Sequence, residues 1–356
     1  MSAAVATVSV AHRSHWLRIA GLASLAAVVL GSVALAWPSV ASLGVGPTEY
    51  RVLDAQDIPA ALAIGPDGAI WFTLESSDAL GVLRDGQMRK LPRGGGGGET
   101  IEALGLAVDS SGGAWFTDIT GQSIGHLAPD GSHESLRVPG PLAQLGRLAT
   151  APDGAVWFAD SWGNSFTRAL DGRLTAYPIR ETNAAPFGVA IDAHGTVWGT
   201  LQVANKLVRI DPDGTYSELD VPTRNSTPTD IAVDGSGGVW FTELRSNRIG
   251  HFANGRFDEF DVPAAAAGLT SLAVAPDGSV WFTELRHQKL GRLRNGSFAE
   301  WALPRQDARP FGLGIDRRGD VWYTDLSGWV GRLPAERARA DWIDLDLGRV
   351  VAWLRG

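Results

Sequence analysis

The stretch Thr229-Asp-Ile-Ala-Val-Asp234, a Gly-Ser-Gly-Gly turn, Val239-Trp-Phe-Thr-Glu243, a short polar loop, Arg248-Ile-Gly-His-Phe252, Asn254-Gly255 and Arg256-Phe-Asp-Glu-Phe-Asp-Val262 holds the fold in miniature. Four runs rich in β-branched and aromatic residues are separated by Gly, Asn and Asp, so the segment is four short strands with tight connections. The same text returns along the chain. Its central tryptophan recurs as Trp71, Trp115, Trp157, Trp198, Trp240, Trp281 and Trp322, at intervals of 44, 42, 41, 42, 41 and 41 residues. A period of about 40 to 45 residues built from strands and turns marks propeller blades. The expected fold is all-β: a seven-bladed β-propeller of four-stranded antiparallel blades over residues 47–335, preceded by an N-terminal signal or anchor helix.

The joints support this. Asp85-Gly86, Asp130-Gly131, Asp171-Gly172, Asp213-Gly214, Asn254-Gly255 and Asn295-Gly296 hold one place in six blades and supply the positive φ that hairpin and G1-bulge turns demand. The innermost strands are short and small-residued, as in Ala61-Leu-Ala-Ile64, because blades crowd together at the axis. Each ladder indole buries roughly 150 to 250 Å² against a neighbouring blade, so the tryptophans are packing residues rather than a ligand platform. Two segments compete for the strand that closes blade seven: Thr48-Glu-Tyr-Arg-Val-Leu53, which is favoured, and Asp341-Trp-Ile-Asp-Leu-Asp-Leu347 in the C-terminal tail, residues 336–356. The Gly94 to Gly98 run forms a loop between blades one and two.

Composition excludes whole classes. A net charge of −8 and a pI near 5.4, with no basic stripe, argue against nucleic acid as a partner. The absence of cysteine removes disulfides, thiolate catalysis and Cys-ligated metal. At the N-terminus, His12, Arg13, His15 and Arg18 precede an uncharged stretch from Ile19 to Trp37 rich in Ala, Val and Leu. Residues 1–42 therefore read either as a cleaved export signal or as a membrane anchor over residues 19–37, with small-residue sites at Ala34-Leu-Ala36 and Ser39-Val-Ala41. In both cases the propeller lies outside the inner membrane, periplasmic or extracellular, and meets the membrane only through that segment. A monomer is expected.

The repeat Val239-Trp-Phe-Thr-Glu-Leu-Arg-Ser-Asn247-Arg-Ile-Gly250, matched by Val280-Trp-Phe-Thr-Glu-Leu-Arg-His-Gln-Lys-Leu-Gly-Arg-Leu293, resembles the virginiamycin B lyase (streptogramin lyase) family of seven-bladed propellers, over residues 47–335. The resemblance implies a carbon–oxygen lyase that opens a cyclic depsipeptide by elimination at its ester, with Mg²⁺. In that family a Pro-His pair opens the innermost strand of blade six and a Glu-Pro-His triplet that of blade seven. The imidazole takes a proton while Mg²⁺, held by that Glu and a second one after the tryptophan strand, stabilises the enolate. Here the corresponding positions read Gly268-Leu-Thr270 and Arg309-Pro-Phe311, and the second metal carboxylate is replaced by Asp325 one residue away. Phe cannot accept a proton, and Arg repels a cation.

Asp118, Asp160, Glu243, Glu284 and Asp325 stand three residues after a ladder tryptophan, on the face that opens around the channel. From them the candidate Mg²⁺ ligands are Glu243, Glu284 and Asp325, unless each carboxylate pairs with a basic neighbour or caps a turn. His287 is the candidate general base with Glu284 beside it, and Phe187, Arg245, Thr270, Arg286, Arg309 and Phe311 are candidate substrate-binding residues. Three functions fit: a divergent lyase, an extracytoplasmic propeller that binds a small-molecule or peptide ligand at the channel face without catalysis, and a scaffold like NHL-type sensor propellers for an envelope protein partner.

Overall fold

A computed structural model describes residues 47–93, 103–140 and 143–338. The chain forms two units, and the first, Met1–Gly46, falls outside these residues, so the description concerns the second. The expected leader helix, the Gly94 to Gly98 loop and the tail segment 341–347 also lie outside the described residues. Among the described residues, no helix is long and apolar enough to cross a membrane.

Seven four-stranded antiparallel sheets follow one another. Blade five, with strands Pro228–Val233, Val239–Glu243, Arg248–Ala253 and Arg256–Asp261, is representative. Blade seven contributes only Pro310–Ile315, Val321–Asp325 and Trp329–Leu333 from its own repeat, and Thr48–Arg51 completes it. In that pairing Glu49 stands opposite Gly331 and Tyr50 opposite Val330, so the N-terminal strand closes the ring. Closure removes the edge that an open array would expose.

The hairpin chemistry divides in two. Asp85-Gly86, Asp171-Gly172, Asn254-Gly255 and Asn295-Gly296 have positive φ at both residues, the two-residue turn that matches strand twist. At Asp130-Gly131 and Asp213-Gly214 only the glycine is positive. A proline, Pro129 or Pro212, precedes each pair and holds φ near −65°, which suits a longer turn ending in left-handed glycine.

The ladder packs blade to blade. Trp71 joins Leu106, Ala114 and Phe116 of blade two, Trp198 joins Ile231 and Phe241 of blade five, and Trp281 joins Leu313, Val321 and Tyr323 of blade seven. The following aromatic residue turns inward over a glycine of the third strand: a Cβ built on Gly250 would lie 2.1 Å from Phe241 Cζ. That close approach explains the Ile-Gly pair in the repeat.

The threonine of Trp-Phe-Thr is a latch. Six of the seven innermost strands slip register near their start, as between Pro228 and Ile231, which frees one backbone N–H from the ladder. Thr200 Oγ1 accepts that proton from Gly188 N at 2.8 Å and donates to Thr229 O of the next blade at 2.7 Å. Thr73 does the same with Ala61 N and Ala103 O, and Thr324 with Gly312 N and Ala60 O, which carries the latch from blade seven to blade one. Blade three alone has Ala159 at this place.

Candidate functional site

Successive strands alternate in direction, so the loops joining second to third strands and those entering each innermost strand open on one face, around the channel. At the axis the residues ten positions before the ladder tryptophans form a column: Ala61, Gly105, Arg147, Gly188, Asp230, Ser271 and Gly312. Five are small because blades converge there. The two charged members meet: Arg147 Nε lies 3.6 Å from Asp230 Oδ1.

Arg147 reaches across the channel from blade three. Nη1 donates to Leu104 O of blade two at 3.1 Å and Nη2 to Thr270 O of blade six at 3.3 Å. Its guanidinium lies 6.0 Å from the Phe187 ring centroid and 5.8 Å from that of Phe311, a cation between two aromatic rings. Asp230 Oδ2 accepts from Ser271 Oγ at 2.7 Å and from Leu272 N at 3.0 Å. Phe187 and Phe311 thus flank one guanidinium, whose pairing with Asp230 sequence reasoning missed. The available signal was the column itself, opposite charges in two of seven places that crowding reserves for small residues.

Thr270 is also at the mouth, with its hydroxyl committed to the latch between blades six and seven, 2.8 Å from Thr283 Oγ1 and 3.0 Å from Phe311 O. Arg245, Arg286 and Arg309 are exposed on the surrounding loops, and no ion pair joins them to a carboxylate among the described residues. His287 is exposed on its loop, with Nε2 2.9 Å from Ala265 O. A carbonyl oxygen only accepts, so Nε2 is the donor in this contact.

The carboxylates behave individually. Asp118 Oδ1 accepts from Gly121 N, and Asp160 Oδ1 from Trp162 N and Gly163 N, so both cap their turns. Asp325 is fully buried: Oδ1 accepts from Arg309 N, Ser327 N and Ser327 Oγ at 2.8 to 2.9 Å, and Oδ2 is paired with Arg305. Glu243, also fully buried, accepts from Ser246 Oγ at 2.8 Å through Oε2. Burial, with Glu259's charge adding, pushes its pKa up to about 7. Glu284 is different. It has no exposed surface and neither oxygen has a hydrogen-bond partner. Burial and the charge of Glu300 raise it to about 7, against the opposing pull of Lys289 and His287.

These residues do not converge on an ion. Glu243, Glu284 and Asp325 each belong to a different blade, and Asp325 is already neutralised by Arg305. Among the described residues, no three His, Asp or Glu side chains form a metal-binding group. Mg²⁺ demands near-octahedral oxygen ligands, so the donor set present does not fit the ion that the resemblance implies.

Comparison with known proteins places this architecture. A sequence model of the virginiamycin B lyase family matches residues 42–265 and 252–338. A virginiamycin B lyase of Nocardia farcinica is 34% identical over 207 residues, 58% of this chain and 70% of the relative. Among solved structures, a catalytically inactive virginiamycin B lyase of Staphylococcus aureus with quinupristin superposes with a TM-score of 0.77 at 24% identity, covering 81% of this chain and 98% of that one. A streptogramin B lyase structure gives 0.76 at 24% identity, covering 80% and 96%. With a matching family sequence model across most of its length and a blade order that the fold reproduces, the chain belongs to the virginiamycin B lyase family.

Proposed function

We propose that this propeller binds a small or peptidic ligand at its channel mouth and does not carry out the metal-assisted elimination associated with its family. The observation that carries the reading is Arg147, held by Asp230 and by two carbonyls between the rings of Phe187 and Phe311. It gives the mouth a fixed cation with two apolar walls, suited to a ligand that offers a carbonyl beside an apolar ring. Elimination needs an accessible base next to the labile proton. His287 stands on an exposed loop, Glu284 is sealed from solvent, and the two innermost-strand positions of the family's histidines are Thr270 and Phe311. The apolar leader supports an exported propeller, periplasmic or extracellular.

The test is calorimetric titration with quinupristin, the depsipeptide bound in the Staphylococcus aureus relative, followed by chromatography for a ring-opened product with and without Mg²⁺. Saturable binding, weakened in Phe311→Ala, with no product is the expected result; ring opening refutes it. One observation favours a second reading, a divergent lyase. Glu284, with no hydrogen-bond partner for either oxygen and pushed up to about 7 by burial, is a carboxyl balanced between its acid and base forms near neutral pH. Product that disappears in Glu284→Gln would select that reading.

A further inference from the structure

All four exposed large apolar side chains of the described propeller stand on the channel-mouth face. Three of them, Trp162, Val203 and Leu244, occupy the second-to-third-strand loops of consecutive blades three, four and five, and Trp162 is 63% and Val203 71% exposed. The neighbouring arc is cationic. Arg245, Arg286 and Arg309 belong to channel-face loops of blades five, six and seven; among the described residues of those loops the only acidic one is Asp307, paired with Arg305, and the neighbouring strand-end Asp261 is paired with Arg248. The two arcs meet in blade five, where Leu244 and Arg245 are consecutive residues, so this acidic chain carries an apolar arc over blades three to five that runs directly into a cationic arc over blades five to seven.

We infer that this face docks an extended peptide segment of a partner protein, with an apolar half lying over Trp162, Val203 and Leu244 and an acidic half over Arg245, Arg286 and Arg309. The inference rests on the channel mouth being the binding site. Charge complementarity selects the acidic half, because three unpaired cations attract and orient an anion. Span selects a peptide. The second-to-third-strand loops that carry Trp162 in blade three and Arg286 in blade six each lie about 7 Å outward from their innermost strands, at roughly 4.8 Å per strand, so these two loops, on blades that Arg147 links across the channel, are separated by more than about 14 Å. An extended chain advances about 3.3 Å per residue and bridges this with five or six residues. A membrane would instead favour apolar residues surrounded by cations, and here the two groups lie side by side.

The experiment is fluorescence anisotropy of a labelled synthetic peptide with a Leu/Phe half and an Asp/Glu half, titrated with the full chain. The expected result is saturable binding that salt weakens, that is lost when Lys replaces Asp/Glu in the peptide, and that drops about tenfold in Trp162→Ser and in Arg286→Glu. Both sites are exposed loops, and circular dichroism checks that the variants fold. Equal binding of the Lys peptide, or variants that bind like the parent, overturns the inference, and so does retention by phosphatidylglycerol vesicles without peptide binding. Quinupristin titrated in parallel separates the failures: if it binds and the acidic peptide does not, only the peptide inference falls, and if neither binds the channel-mouth reading falls with it.

Discussion

Glu284 is the residue whose chemistry departs furthest from its surroundings. Three residues after a ladder tryptophan, Asp118 and Asp160 turn back to cap their own loops, whereas Glu284 points into protein with no donor for either oxygen. Burial penalises the charged form, and the raised pKa is the result. A carboxyl raised above its unfolded value favours folding when protonated. Its contribution is full below the unfolded pKa of 4.5 and is lost as pH rises through about 7. Glu284→Gln mimics the neutral form at every pH. Its melting temperature relative to the parent is therefore expected to rise by several degrees between pH 5 and pH 8, corresponding to about 1 to 3 kcal/mol. A pH-independent difference in scanning fluorimetry would mean that Glu284 stays charged in the folded protein.

At the scale of the blade, much was legible and the limits are physical. The tryptophan period, the Asp-Gly and Asn-Gly joints and the fourth-strand pattern of Thr48–Arg51 are local signals, and the blades and their closure follow from them. The aromatic positions Phe187 and Phe311 were equally readable, because repeats align themselves. What each carboxylate does was not, since its partner comes from elsewhere: Asp325 is held by Arg305, which also grips Glu49 across 256 positions of sequence. Nor was the threonine's role, which depends on a register slip invisible in the repeat. Thr200 makes two buried bonds that valine, its isostere, cannot make. Thr200→Val is expected to cost about 1 to 3 kcal/mol in urea unfolding, by leaving Gly188 N and Thr229 O without partners, while Thr200→Ser keeps most of the stability. If Thr200→Val unfolds like the parent, the latch carries no weight.

Across the whole molecule, two devices hold the ring. One is circumferential: the N-terminal strand seals blade seven, where Glu49 accepts from Tyr323 Oη at 3.0 Å and from Arg305 Nε at 2.9 Å. The other is transverse. Arg147 is anchored in blade three, the one blade with alanine, Ala159, in place of the threonine, and bonds to blades two and six while pairing with Asp230 in blade five. The missing threonine and the cross-channel arginine coincide in one blade, which fits a bolt that stands in for a threonine. Removing one partner of a buried pair leaves a bare charge and costs about 3 to 5 kcal/mol, whereas removing both in matched shape is close to neutral. Arg147→Met is therefore expected to lower the unfolding midpoint sharply. Adding Asp230→Asn should recover a large part of the loss, because the amide keeps the place of the carboxylate beside Ser271 without its charge. A double-mutant cycle in urea gives the coupling directly. Additive single effects would show that Arg147 acts through its carbonyl and ring contacts alone, and that the Asp230 pair does not tie the ring across its axis.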